Sequence, residues 1–316
     1  MTSHTPLGAG REFDHIRAVW ARLGAGAAPS GDDCAFVPWS GRLLAISTDL
    51  AVEGTHFRAG WLAPKELGWR VAAAALSDLA AVAASPIGVM ASVGVPEVAP
   101  DGLVPDLMDG VGGAAAEAGA AVMGGDLVRA DLLVVDMTVF GSLERPVRRA
   151  GAAAGDGLWV TGALGAPAAA IRAWDAGDAP RSAARERFAR PVPRVGPGWW
   201  LRDAGATAMI DLSDGLLADA GHLAAASGVS CRLEAERVPV HDGADTPDDA
   251  LVGGEEYELL VALPESFSER EAAAFAERFT LPLTRVGRVE AGSGVVLVRD
   301  GAPAALPPGF RHFDGP

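Results

Sequence analysis

Asp211-Leu212-Ser213-Asp214-Gly215 stands between a short apolar run, Ala206 to Ile210, and an amphipathic segment, Leu216 to Ala226. That order predicts a strand, a tight turn and a helix. Two carboxylates and a hydroxyl then fall where a helix begins. A helix N-terminus attracts phosphate, whereas carboxylates repel it. The two coexist when a divalent cation lies between them, because Mg2+ is typically held by one or two carboxylates together with substrate phosphates. A capped helix start uses the same residue types, since Ser or Asp at the N-cap accepts from free backbone N–H groups. The stretch alone leaves both readings open.

Outward from it, strands and helices are predicted on both sides. Towards the N-terminus, Cys34–Pro38 and Arg42–Thr48 read as strands around a Trp39-Ser40-Gly41 turn. Pro64 suits a first helical position, with a helix over Lys65 to Ala84. Ile87–Val95 reads as a strand, Asp101 to Gly119 as a helix, and Ala121–Met123 and Leu132–Gly141 as strands. The polar, Gly-rich stretch Arg145 to Asp156 marks a boundary, giving domains over 1–145 and 146–316. Beyond it come a strand at Leu158–Thr161, a helix after Gly165, and a surface crossing over Pro180 to Pro197. A strand at Ser230–Leu233, a loop over Val238 to Asp249, a strand at Tyr257–Leu263, a helix at Glu265–Phe279 and two closing strands follow. Such mixtures in both halves predict two α/β (α+β) domains.

With 49% hydrophobic residues in 316, a sizeable core can be buried. The net charge of −15 argues against a nucleic-acid or anionic-membrane surface, which needs clustered Lys and Arg. Lys65 is the only lysine and follows Pro64, so no Walker A loop is present. Cys34 and Cys231 lie far apart and form no ligand spacing or disulfide framework, which predicts a reducing, cytoplasmic setting. No basic segment followed by an apolar core opens the chain, so no signal peptide is expected. Val71 to Val95 is long and apolar, but Asp78 and Pro86 interrupt it, so a buried helix and strand are expected there and no membrane span.

Further acids stand at predicted junctions. Gly31-Asp32-Asp33 precedes the first strand, Ser47-Thr48-Asp49 ends the second, and Gly124-Gly125-Asp126 follows a third. Each alone is ordinary turn punctuation. Asp78 differs, because it lies mid-helix among Ala74, Ala75, Leu76, Leu79, Ala80 and Ala81. A buried unpaired carboxylate costs several kcal/mol. Asp78 therefore predicts a nearby cation, either a bound metal or a buried Arg such as Arg70. Oxygen-only ligands of this kind suit Mg2+ or Ca2+ and not zinc.

In order, GDDCAFV, AISTDLAVEGTHF, LSDLAAVAASP, GGD, IDLSDGLLADAGHLAAASG and GGEEYELL closely resemble the thiamine-monophosphate kinase family of the aminoimidazole-ribonucleotide-synthetase-like superfamily. The resemblance runs from about Glu12 to Phe313. It implies a two-domain fold whose N-terminal strands contribute to a barrel at a homodimer interface, with ATP in a cleft between the domains. It implies Mg2+- and ATP-dependent phosphorylation of thiamine monophosphate to thiamine diphosphate. By matching motif positions, Asp33, Ser47, Thr48, Asp49, Asp78, Asp126, Asp211 and Asp214 resemble the metal shell, with Asp33, Asp49, Asp78, Asp126 and Asp211 holding the cations used in catalysis. Gly125, Asp126, Arg149 and Ser213 resemble ATP contacts, and His56, Glu255 and Phe310 resemble substrate contacts. Three departures stand out: Ala75 replaces the family's Asn, Ala83-Ala84 replaces Gly-Ala, and Glu256 replaces Asp beside the expected substrate site.

Rival readings are another synthetase of the superfamily and a non-catalytic nucleotide-binding regulator. An aminoimidazole-ribonucleotide synthetase should show a Gly-Val-Gly-Thr-Lys-like segment, where this chain has Ala51-Val52-Glu53-Gly54-Thr55-His56-Phe57. A regulator should have lost several of the carboxylates.

Overall fold

The computed structural model describes residues 4–307, so Phe310 lies outside the described residues. Helix α1 (Arg11–Leu23) leads into a hairpin of β1 (Ala35–Trp39) and β2 (Arg42–Val52). Ser40 and Gly41 close it at φ 48° and 78°, the left-handed pair that a two-residue hairpin turn requires. Then follow α2 (Pro64–Ala81), β3 (Ser85–Pro96), α3 (Leu103–Glu117), β4 (Ala121–Ala130) and β5 (Val134–Leu143). The five strands form one sheet in the order β1-β2-β5-β3-β4, with β3 and β4 parallel across the α3 connection. Within one chain this sheet is open, with β1 and β4 at its edges.

Pro64 starts α2 as its composition predicts, and the Glu66 carboxylate accepts the Ala63 N–H at 2.9 Å. Small Ala side chains let α2 be buried on nearly every side. Leu67, Val71, Leu76 and Leu79 pack with Leu107 and Val111 of α3 and with Val89, Val135, Met137 and Val139 of the sheet. Its C-terminal Ala80 and Ala81, with Ala83 just beyond the helix, join a different core, with Trp159, Val195, Leu201, Met209 and Phe275. One helix thus ties both halves together, and Asp78 sits at that junction.

The segment 144–156 leads to the second sheet. Its elements are β6 (Gly157–Thr161), α4 (Ala166–Asp175), α5 (Ser182–Ala189), α6 (Val195–Asp203), β7 (Ala208–Asp211), α7 (Leu216–Ser227), β8 (Ser230–Glu234), α8 (Asp249–Val252), β9 (Leu259–Leu263), α9 (Glu269–Phe279), β10 (Leu283–Glu290), β11 (Gly294–Arg299) and β12 (Ala302–Ala304). The strand order is β12-β11-β8-β10-β6-β9-β7, with β11 and β8 parallel and the other pairs antiparallel. β6, β7 and β9 are buried along their whole length, which accounts for their continuous apolar character.

Pro180 to Pro197 departs from the sequence expectation. It is no surface crossing but carries α5 and the start of α6, with Phe188 wholly buried. Its arginines look solvent-directed in sequence, yet two of them turn inward onto a buried glutamate, described below. Among the described residues no helix is long and apolar enough to cross a membrane.

Candidate active site between the two sheets

Asp33 in the loop before β1, Asp78 on α2 and Asp211 at the end of β7 converge. One carboxylate oxygen from each lies within 4.8 Å of the others. Asp33 and Asp211 are buried, and Asp78 keeps part of its surface open. Ser47 Oγ donates to Asp78 Oδ2 at 2.6 Å. Arg149, in the connection between the sheets, donates to Asp33 Oδ1 from Nε at 3.1 Å and from Nη2 at 2.6 Å. Its backbone N–H donates to Asp32 Oδ1 at 3.1 Å, and Arg148 lies 3.6 Å from Asp32 Oδ2.

The cluster is short of positive charge. Burial, together with the charge of Asp33, pushes Asp211 up to about 7. Burial and the charges of Asp211 and Asp33 hold Asp78 well above the usual carboxylate range. Asp33 Oδ2 is buried with no hydrogen-bond partner. Clustered carboxylates with an orphaned buried oxygen match what a hard divalent cation needs.

The alternative of an Asp78–Arg70 pair is not realised. Arg70 is 4% exposed and is committed to Glu255 and to the Phe188 carbonyl, with its guanidinium 3.5 Å over the Phe188 ring. Tyr257 donates its hydroxyl to the same Glu255 carboxylate at 2.5 Å. Glu255 and Tyr257 adopt φ of 70° and 53°, a left-handed backbone that side chains other than Gly rarely take and that concentrates at functional sites. Asp49 adjoins this group. Desolvation by the surrounding protein atoms and the Glu255 charge raise its carboxyl to about 6, although the residue keeps surface open to solvent.

Two acidic junctions lie elsewhere than their sequence suggests. Asp49 does not end β2 but lies inside it, opposite Met137, which places it on the helix-covered face with Ser47. Gly124-Gly125-Asp126 is no turn. It lies within β4, where the pairing with β3 slips by one residue at Val89/Met90. Glycine is required there, because a Cβ on Gly125 would lie 1.7 Å from the Ala91 carbonyl oxygen. By register Asp126 shares a row with Ser92 and Asp136 on the opposite sheet face. Thr48 Oγ1 donates to Asp136 Oδ1 at 2.9 Å on that face. Thr48, Gly125 and Asp126 are therefore not gathered with Asp33, Asp78 and Asp211 within one chain.

The turn at Asp211–Gly215 is bonded to the GGEEYEL segment. Ser213 O accepts the Glu255 N–H at 2.7 Å, and Leu212 O accepts the Tyr257 N–H at 2.8 Å. Ser213 itself is exposed. Neither Ser213 nor Asp214 caps α7. Asp219, one turn in, accepts the N–H groups of Asp214 and Gly215, each at 3.1 Å. His56 closes the end of β2, its Nδ1 accepting the Val52 N–H at 3.1 Å. Phe310 lies outside the described residues.

Glu256 is fully buried and accepts the Gly165 N–H at the start of α4, and burial pushes it up to about 8. Glu258 was not anticipated as important. It accepts Thr161 Oγ1 at 2.6 Å, Arg187 Nη2 at 2.7 Å and Arg194 Nε at 2.8 Å, fastening α5 and α6 to the second sheet. Its only sequence signal is a charge one residue before the apolar run of β9.

Comparison with known proteins agrees with this architecture. Residues 31–143 match the N-terminal domain, and residues 153–300 the C-terminal domain, of the AIR synthase related proteins. A thiamine-monophosphate kinase of Salmonella typhimurium is 34% identical over 324 residues, spanning 97% of each chain. One from Mycobacterium tuberculosis is 34% identical over 288 residues, spanning 90% of this chain and 86% of the relative. Among solved structures, AaThiL complexed with AMPPCP and TMP superposes with a TM-score of 0.84 at 30% identity, covering 96% of this chain and 97% of that one. With both domains matched in order and over nearly its whole length, the chain belongs to the thiamine-monophosphate kinase family of the AIR synthase related proteins.

Proposed function

We propose that this protein transfers the γ-phosphoryl group of ATP to thiamine monophosphate, giving thiamine diphosphate, with Mg2+ as the resident cation. The observation that carries the reading is the junction of Asp33, Asp78 and Asp211, with a buried Asp33 oxygen left unpaired. Relatives named for this activity, and a similar structure holding AMPPCP and TMP, support it.

Donor and acceptor are both phosphates, so the obstacle is their mutual repulsion. The acceptor's second pKa is near ~6, so it is largely ionised at neutral pH and needs no strong general base. Mg2+ bound by these carboxylates would neutralise both phosphates and favour a direct, in-line transfer without a phosphoenzyme. Asp33, Asp78 and Asp211 hold the cations, with Ser47 orienting Asp78 and Asp49 adding charge at the rim. Arg149 holds Asp33 and adjoins the ATP phosphates, with Ser213 on the adjacent turn. Arg70 and Tyr257 fix Glu255 towards the acceptor, with His56 and Phe310 as its further contacts.

Thr48, Gly125, Asp126 and the turn residue Asp214 are assigned to nucleotide and metal by resemblance. Residues 1–145 form the ATP, Mg2+ and dimerisation domain, and 146–316 the second domain. We assign the open face and edge of the first sheet to a homodimer, whose strands close into a barrel across two copies. β4 is an exposed edge strand, and Leu50, Met90, Met123, Leu127 and Val128 stand exposed on β2, β3 and β4. A free edge with such a surface otherwise invites aggregation. The chain is assigned to the cytoplasm, and no nucleic-acid or membrane partner is expected of it.

A coupled ATP assay tests the activity. Turnover with thiamine monophosphate and none with thiamine is expected. Equal turnover of free thiamine would overturn the acceptor assignment. Light scattering at micromolar concentration should give twice the chain mass.

A further inference from the structure

We propose that a cleft between the two halves of the chain, apart from the carboxylate cluster, binds a small molecule that joins a flat heteroaromatic ring to a phosphate or diphosphate. Two cavities adjoin there, of about 340 and 440 Å3, and share Ser85, Arg202 and Asp203 along their common rim. Small-molecule sites have this size and favour domain junctions. One wall comes from the first sheet, through Arg42 at the start of β2, Ser142 near the end of β5 and Arg145 just beyond it. The other comes from α6 and the end of α9. Arg42 stands five residues before Ser47 on β2, roughly 16 Å at ~3.3 Å per residue, and none of Asp33, Asp78 and Asp211 lines either cavity.

The two compartments differ in chemistry. The smaller is polar, lined by Arg42, Arg145 and Arg202 and by Ser85 and Ser142, whose hydroxyls make no hydrogen bond among the described residues. The larger is walled by the rings of Trp199, Trp200 and Phe279, with Arg278 beside them. Within a chain of net charge −15, the arginines of this cleft outnumber its acids, Glu144 and Asp203. Arg42 is paired with Glu144 at 3.3 Å and Arg202 with Asp203 at 2.9 Å. Arg145 and Arg278 have no acidic partner among the described residues. Guanidinium groups recognise phosphate, and aromatic walls take a flat ring, so a polar compartment beside an aromatic one fits a ligand with one end of each kind.

The floor of the cleft is fixed before any ligand arrives. Trp199 Nε1 donates to the Ala84 carbonyl at 2.9 Å, and Arg202 Nη1 to the Ala83 carbonyl at 3.4 Å. The Phe275 ring backs Trp200 and Phe279, with centroids 5.4 and 4.9 Å away. Walls held in this way reduce the ordering cost of binding. ADP and thiamine diphosphate, the two products of the proposed reaction, both have the required chemistry. The cleft uses no residue assigned to that reaction, so its failure would leave the kinase reading untouched.

Fluorine NMR on the full chain labelled with fluorotryptophan, in EDTA to withhold Mg2+ from the carboxylate cluster, tests the proposal. Trp199→Phe and Trp200→Phe assign the two resonances. Titration with ADP or with thiamine diphosphate should shift one or both saturably below millimolar concentration, and the ligand that does so names the source. Inorganic pyrophosphate, which lacks the ring, should bind at least about tenfold more weakly. Arg145→Glu should weaken binding of the shifting ligand at least about tenfold, and Arg278→Glu serves should the first variant show no cooperative melt. No shift of either resonance with either ligand would overturn the cleft as a binding site. So would an affinity unchanged by the arginine substitution, or pyrophosphate binding as tightly as the ring-bearing ligands.

Discussion

Ser47 Oγ donates to Asp78 Oδ2 at 2.6 Å, joining β2 to α2 at the point where the two sheets meet. The basic residue closest on the same helix, Arg70, is turned to Glu255 instead. Asp78 thus faces Asp33 and Asp211 rather than a guanidinium of its own.

Asp78→Asn should therefore lower turnover by about 10²–10³, the loss typical of removing one electrostatic group that acts on the transition state. Its melting temperature should stay the same or rise, because burial already disfavours the ionised carboxylate at this position. Kinetics and thermal melting on one preparation check this. A sharp loss of stability with normal turnover of the folded fraction would reverse the assignment.

Mg2+ binding should release protons near neutrality. Asp211 is raised to about 7, so it retains a proton at pH 6.5 that a cation must displace. Calorimetry in buffers of different ionisation enthalpy should show release of roughly one proton at pH 6.5, less as pH rises through 7, and very little at pH 9. Release that does not depend on pH would count against a cation among these carboxylates.

Glu258→Ala should cost about 3–5 kcal/mol, because it strands Arg187 and Arg194 inside the second domain. Urea unfolding followed by fluorescence measures it. A loss under ~1 kcal/mol, the scale of an exposed pair, would show that the network adds little.

Glu256→Gln should gain stability relative to the parent as pH rises. The folded carboxyl is raised from 4.5 to about 8, so the folded chain holds a proton that the unfolded chain releases. Its contribution is complete below 4.5 and is lost as pH climbs through about 8. The amide keeps the oxygen that accepts the Gly165 N–H but does not titrate. Melting temperatures of both proteins between pH 5 and 8.5 should diverge in the variant's favour, and parallel curves would refute the buried acid.

Legibility in the sequence followed the range of the interaction. The hairpin turn after Pro38, the proline start of α2 and the strand-turn-helix around Asp211 all depend on neighbours a few residues apart, so spacing alone revealed them. Asp78 also stood out, because an acid inside an apolar helix is costly wherever that helix packs. Local spacing misread Asp49 and Asp126, since Ser-Thr-Asp and Gly-Gly-Asp resemble turns. The pairing partner that continues each strand lies some 35 to 90 residues away, opposite Ser92 for Asp126 and Met137 for Asp49.

By itself, then, the order of residues determined most of the element types, the two-domain organisation, and the presence of an acid on α2 and at the end of β7. Tertiary structure alone decided which charges meet. Arg70 chose Glu255 over Asp78, Arg187 and Arg194 turned inward to Glu258, and Asp219 capped α7 in place of Ser213 or Asp214. Helix and strand periods arise from the backbone within a few residues, and sequence records them directly. Charge pairing depends on which surfaces are brought together and dried, and that follows from the packing of the whole chain.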